Sequence, residues 1–194
     1  MTDRLLKQMI EFNIIEPGDE EIYRFGLEGM ILKLVHYTTY LIIAVFFRVT
    51  MHFLIFLVAF LLVRKNAGGY HAKTKAGCYI SSCTTVLIII IIMKLLPEWE
   101  ITAMAEGSLI FIADVLICMM APLGNRNRTL SEKEMKFYRK RSISFLVLEN
   151  VLLCFMLIWG KETWEIPIGM AIICEAILLL LEKIRKENDE IEAA

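Results

Sequence analysis

The sequence predicts an all-α, polytopic integral membrane protein with about six transmembrane helices, and three observations carry that prediction. Hydrophobic residues make up 57% of the 194-residue chain, with a mean hydropathy of +0.59, above the roughly 45–50% apolar usage of soluble domains. They gather into runs long enough to cross a hydrocarbon core of about 30 Å as helices. Lys and Arg fall almost wholly in alternate connections between those runs, the distribution that sets membrane topology.

The elements follow in chain order. Residues 2–15 place Leu5, Leu6, Met9, Ile10 and Ile14 on one helical face, and Asp3, Arg4, Lys7, Gln8 and Glu11 largely on the other. That pattern suits an amphipathic helix in the headgroup region, and equally a soluble amphipathic pair packed on the protein. Pro17-Gly18-Asp19 ends it and offers a cap to a second short helix through Ile22, Phe25 and Met30. Residues 34–63 are apolar except for Arg48 with Thr50 and His52 beside it. One helix of that length would span about 45 Å, so two helices meeting near Arg48 are expected. Apolar runs at residues 79–96, 109–123, 143–159 and 166–181 complete six membrane segments. Pro97, Pro122 and Pro167 fall at the expected helix ends, where a missing donor is harmless. The chain reads as one domain: an amphipathic region at 1–33, transmembrane helices over 34–181 and a charged cytoplasmic tail at 182–194.

Charge orients this arrangement. The region to Lys33 holds four cations, residues 64–77 four, residues 124–142 seven and the tail three, or 18 of the 21 Lys and Arg residues. By the positive-inside rule these segments share the cytoplasmic face, which places the chain in the cell membrane with both termini cytoplasmic. The net charge of −1 supplies no basic field for nucleic acid. Cysteines 78, 83, 118, 154 and 174 lack the spacing of a thiolate metal site or a disulfide framework, and no cofactor is called for. The N-terminus carries acids and lacks the h-region of a secretory signal.

Between the second and third membrane segments stands RKNAGGYHAKTKAGC, residues 64–78. Its reactive groups are His71 and Cys78. On a continuous helix they would share a face but lie about 10 Å apart along the axis, too far for proton transfer. Gly68, Gly69 and Gly77 supply the freedom for a turn that closes the gap. Cys78 is expected in the first turn of the next helix, where the helix dipole and Lys73 and Lys75 favour thiolate. The types and their order suit a Cys-His nucleophilic pair facing the cytoplasm. A solvated histidine and an inert cysteine are the plainer reading of the same spacing.

Arg64, then Gly68-Gly69-Tyr70-His71-Ala72, then Cys78 at the head of an apolar helix resembles the signature of the accessory gene regulator B (AgrB) family, membrane cysteine endopeptidases of bacterial quorum sensing. The size, the membrane segments and the basic APLGNRNRTLSEKEMKFYRKRS also match. The resemblance implies that His71 and Cys78 are the catalytic pair. It further implies a small AgrD-like precursor peptide as partner and substrate. The family cuts off the precursor's C-terminal tail, keeps the new C-terminus as an enzyme thioester, and lets a peptide side chain displace it to close a thiolactone or lactone ring. Arg64 matches the family's arginine and is a candidate for positioning the substrate.

Asp114, Glu149 and Glu175 fall within membrane helices, where an ionisable group marks function by default. Glu149, about two turns inside the cytoplasmic end of its helix, is the best candidate for an acid that orients His71. The same three carboxylates support an alternative from another class, a non-enzymatic small membrane transporter or scaffold. The basic segments would contact membrane lipids, and a homodimer is compatible with the sequence although no packing motif argues for one.

Residues 64–77 and 124–142 are expected on one side of the membrane. Single cysteines introduced in either segment, with the native thiols removed, should resist an impermeant maleimide in intact cells; labelling from outside would sink both topology and site.

Overall fold

The computed structural model describes residues 2–70, 72, 74–95, 103–124, 130–159 and 162–193. Among these the long regular elements are helices: α1 Thr2–Glu11, α2 Glu20–Phe46, α3 Thr50–Ala67, α4 Lys75–Leu95, α5 Ala103–Met120, α6 Glu132–Ile158 and α7 Glu162–Ala193. Five of these, α2, α3, α4, α6 and α7, are long and apolar enough to cross a membrane. The eighteen residues of α5 are also largely apolar, with Glu106 and Asp114 its charged positions.

The chain divides into two compact units, Met1–Ile43 and Ala44–Ala194. In the first, α1 ends in a turn where Asn13 takes a φ of 52°. Arg24 on α2 bonds Asp3 on α1 and, at 3.0 Å, Glu20 on its own helix. Leu6 is fully buried, while Leu5, Phe12, Ile14, Phe25 and Met30 are exposed. The expected second short helix is absent as a separate element. Its residues belong to α2, which runs unbroken from Glu20. Gly26 and Gly29 cost only about 1 kcal/mol each inside a helix, too little to halt a continuing hydrogen-bond ladder.

The second unit opens at the break expected near Arg48. Arg48 takes a φ of 60°, its N–H reaches Val45 O at 3.0 Å and the Val49 N–H reaches Ala44 O at 3.0 Å. This is a Schellman termination with arginine in the left-handed position that glycine usually fills. It divides residues 34–63 between two helices, as their length requires.

The bundle is organised on α7, which packs against α3, α5 and α6. Half of its apolar window is buried, against 17–33% for the other four candidate spans. Its buried line Ile168, Ile172, Glu175, Leu179 and Glu182 follows alternating spacings of four and three residues, the seam of a helix packed on near-parallel neighbours. Two expected boundaries move. Residues 182–193 continue α7 instead of forming a separate tail, with Glu182 buried. Pro167 lies inside α7, not at its end. Likewise, much of the basic segment 124–142 is the first part of α6, started by a reciprocal cap in which Ser131 Oγ accepts the Glu134 N–H at 3.3 Å and the Glu134 carboxylate accepts the Ser131 N–H at 3.0 Å. Such a cap stabilises a helix start by about 1 kcal/mol.

Candidate functional site

The last turn of α3 creates the first half of the site. Gly68 closes the helix with a φ of 83°, its N–H on Arg64 O at 3.1 Å, and Gly69 follows at 121°. These backbone conformations favour glycine, and space imposes the same choice. A Cβ on Gly68 would stand 2.2 Å from Leu123 O, and one on Gly69 would stand 1.8 Å from Arg64 Nη1. The glycines expected to supply a turn thus also allow two close approaches, one to a backbone and one to a guanidinium.

Arg64 turns back over the loop that follows it. Its Nη1 donates to Gly68 O at 2.7 Å and its Nη2 donates to Tyr70 O at 2.5 Å. The same Nη1 lies 3.7 Å from Glu175 Oε2 of α7, with the Arg64 side chain 13% exposed and that of Glu175 0%. A planar fork with several donors can hold two carbonyls and face a carboxylate at once, which an ammonium would do poorly.

Neighbouring backbone completes the hold. The Tyr70 N–H donates to Leu178 O of α7 at 3.0 Å, and the Leu123 N–H donates to Ala67 O at 2.8 Å. Gly68 and Leu123 form an isolated parallel bridge, which ties the loop to the segment after α5. The Arg185 guanidinium sits 5.2 Å from the Tyr70 ring centroid, itself bonded to the buried Glu182 at 2.7 Å. Lys186 donates to Gly124 O at 2.5 Å. One end of α7 therefore serves as a template for the segment 67–70.

The second half is the start of α4. Thr74 Oγ1 accepts the Gly77 N–H at 3.0 Å, and Thr74 O accepts the Cys78 N–H at 2.9 Å. Thr74 is thus the helix cap, and Cys78 sits in the first turn as expected, partly exposed. Ser81 Oγ donates to Cys78 O at 3.2 Å. His71 and Lys73 lie outside the described residues, as do Arg126 and Arg128 of the basic segment. The chain itself fixes one relation: only residues 71–73 separate Tyr70, held on α7, from Thr74, which caps α4.

Of the acids, Glu175 faces Arg64, and Asp114 Oδ1 accepts from Asn150 Nδ2 at 3.1 Å. Glu149 is 2% exposed, and neither of its carboxylate oxygens has a hydrogen-bond partner among the described residues. It lines a groove of about 350 Å³ with Leu54, Val58 and Leu62 of α3 and Trp164 of α7. No group of three or more His, Cys, Asp or Glu side chains suited to a metal ion is found among the described residues. Sequence reading missed Thr74, Leu123, Leu178 and the Glu182–Arg185 pair. For Glu182 a signal existed, since it continues the same four-three spacing as Ile168, Ile172, Glu175 and Leu179.

Comparison with known proteins gives this arrangement a family. The family model described as Accessory gene regulator B matches residues 1–180. The chain is 28% identical over 160 residues to the accessory gene regulator protein B of Staphylococcus aureus (strain bovine RF122 / ET3-1), covering 81% of this chain and 80% of that protein. It is 25% identical over 155 residues to a putative AgrB-like protein of Clostridium perfringens (strain SM101 / Type A), with 73% and 71% covered. A putative AgrB-like protein 2 from Clostridium perfringens (strain 13 / Type A) is 24% identical over 165 residues, with 79% and 76% covered. No solved structure matches the chain. With the family model matching the glycine-histidine loop, α1 to α6 and the first part of α7, the chain belongs to the accessory gene regulator B family.

Proposed function

We propose that the chain is a membrane cysteine endopeptidase that processes an AgrD-like quorum-sensing precursor peptide at the cytoplasmic face. The observation that best supports this reading is the clamp on residues 67–70. A buried arginine, two glycines in left-handed conformations and a backbone bond to α7 hold the chain one residue short of His71. A loop that merely joined two membrane helices would have no need of so much buried polar structure. On the other side of the short connection, a capped helix start presents Cys78 in its first turn.

In this reading the Cys78 thiol gives its proton to His71 and its sulfur attacks the scissile carbonyl. The C–N bond breaks, and His71 returns the proton to the departing amine of the C-terminal tail. The peptide's new C-terminus is then a thioester on Cys78. A thiol or hydroxyl within the peptide attacks that carbonyl, its proton passes to His71, and Cys78 leaves as the ring closes. Exchange of one thioester for another is nearly isoenergetic, so acyl energy is kept provided water is excluded. An amphipathic peptide in the membrane interface would bring its scissile bond to the same depth. Glu149 is the proposed orienting acid, and the exposed basic face of α6 would meet lipid headgroups or the precursor's tail.

The transporter reading draws on Asp114, Glu149 and Glu175 in the bundle interior. Glu175 weighs against it, because its carboxylate faces the arginine of the motif loop instead of an open path. Changing Cys78 separates the two readings, since a transporter does not need that thiol.

Cys78→Ala should abolish both cleavage and ring closure in cells that also express the precursor, with normal membrane levels of the protein. A precursor whose ring-forming side chain is replaced by Ala should still be cut, and should become attached to the wild-type enzyme through a hydroxylamine-sensitive bond. Release of cyclic peptide by Cys78→Ala would refute the nucleophile. Separately, Gly69→Ala should impair cleavage and Gly69→Val should impair it further, with insertion retained, because the added carbon meets the Arg64 guanidinium. Displacement of about 1 Å at such a site costs on the order of 10²-fold in rate. Full cleavage by the valine variant would show that the close approach is dispensable.

A further inference from the structure

We propose that Glu175 is a positioning residue, which from α7 keeps the Arg64 guanidinium on the Gly68 and Tyr70 carbonyls and so fixes the chain that leads into His71. This rests on the reading that His71 activates Cys78. The geometry is specific. Glu175 Oε2 faces Nη1, the nitrogen that also bonds Gly68 O, at 3.7 Å, while Nη2 takes Tyr70 O. The Tyr70 carbonyl is part of the peptide bond to His71 itself.

A guanidinium with only 13% of its side chain exposed is costly without an opposing group. Given a choice, the long side chain would swing its head toward water and leave its stem in the apolar region. Glu175 removes that choice. Its side chain is 0% exposed, and neither of its oxygens has a hydrogen-bond partner among the described residues, so its carboxyl group has no competing donor there and is set against the Arg64 guanidinium. Glu149 of α6 is also buried, but neither of its carboxylate oxygens has a hydrogen-bond partner among the described residues, whereas Glu175 lies directly against the guanidinium.

Position on the helix adds a second constraint. Glu175 stands three residues before Leu178, whose carbonyl accepts the Tyr70 N–H. The two contacts lie about one turn apart on one rigid element, so the N–H and the carbonyl of Tyr70 are both referred to α7. Gly69 between them has no room for a side chain. The loop is therefore held to α7 through both groups of Tyr70, and the Glu175 carboxyl group is the part of that hold that faces Arg64.

Alkylation of Cys78 by iodoacetamide tests this without the precursor. The protein is reconstituted in liposomes on a background in which Cys83, Cys118, Cys154 and Cys174 are serine, and the rate is followed from pH 5 to 10. Wild type should alkylate at pH 7 at least about tenfold faster than His71→Ala, a modest share of what a general base contributes. Glu175→Gln should fall to the His71→Ala rate at pH 7 and match wild type at pH 10, where the thiol ionises unaided. Glu175→Asp should recover much of the difference. A Glu175→Gln profile identical to a His71-dependent wild-type profile would overturn the role of Glu175 alone. A wild-type profile that does not depend on His71 would instead overturn the catalytic pair. If Glu175→Gln fails to accumulate, Arg64→Gln/Glu175→Gln, which removes both buried charges, carries the test: slow alkylation at pH 7 supports the clamp, and the wild-type profile overturns it.

Discussion

The arrangement of the site depends on one largely buried cation. Arg64 ends a membrane helix, where a basic residue is unremarkable as a topology signal, yet its guanidinium turns inward to bond the carbonyls of Gly68 and Tyr70 opposite Glu175. Burial makes those bonds strong and also makes them conditional, since a guanidinium out of water must keep every partner it has. The glycines, the bond from Tyr70 to α7 and the bridge to Leu123 are all fitted around it. This is a polar core inside an apolar bundle, and along the chain it ends one residue before His71.

The helix that provides most of the partners is α7. Its apolar line packs the bundle together, and acids replace apolar residues at two positions of that line, Glu175 and Glu182. Each faces an arginine, Arg64 or Arg185, that touches the motif loop or its tyrosine. Packing and site geometry are therefore referred to the same element. A change that tilts α7 would disturb stability and loop position together, whereas a change at α4 would move only the cysteine.

Much of this was legible in the sequence, because hydropathy and cation placement act over long windows. The helix break at Arg48, the membrane helices and the place of Cys78 at a helix start follow from periodicity, length and the glycine before it. The motif loop could be found because Gly68, Gly69, His71 and Cys78 are an unusual set between apolar runs. Boundaries were less legible. The end of α7 and the start of α6 are rich in charge, which reads as loop or tail in a window of composition, while a helix can carry charge on faces turned to headgroups and water. The partners of the loop were not legible, because Leu178 and Leu123 contribute backbone atoms, and a backbone carbonyl has no signature in residue type. Glu175 was visible as a costly intramembrane acid, but its pairing with Arg64 depends on helix packing across more than a hundred residues of chain.

The catalytic reading asks of this structure that the chain entering His71 be held while a peptide is exchanged at Cys78. A loop in the interface is exposed to lipid motion, and the geometry for proton transfer tolerates little displacement. The clamp answers that requirement by burying the fixed end of the loop and leaving only residues 71–73 between it and the capped start of α4. Amide hydrogen exchange at Tyr70, in protein reconstituted in nanodiscs, tests this most directly, since its N–H is the one that the clamp seats on Leu178 O. Strong protection in wild type, lost in Arg64→Gln while the amides within α3 and α7 stay protected, is the predicted result. Rapid exchange at Tyr70 in wild type, or equal protection in Arg64→Gln, would contradict the account.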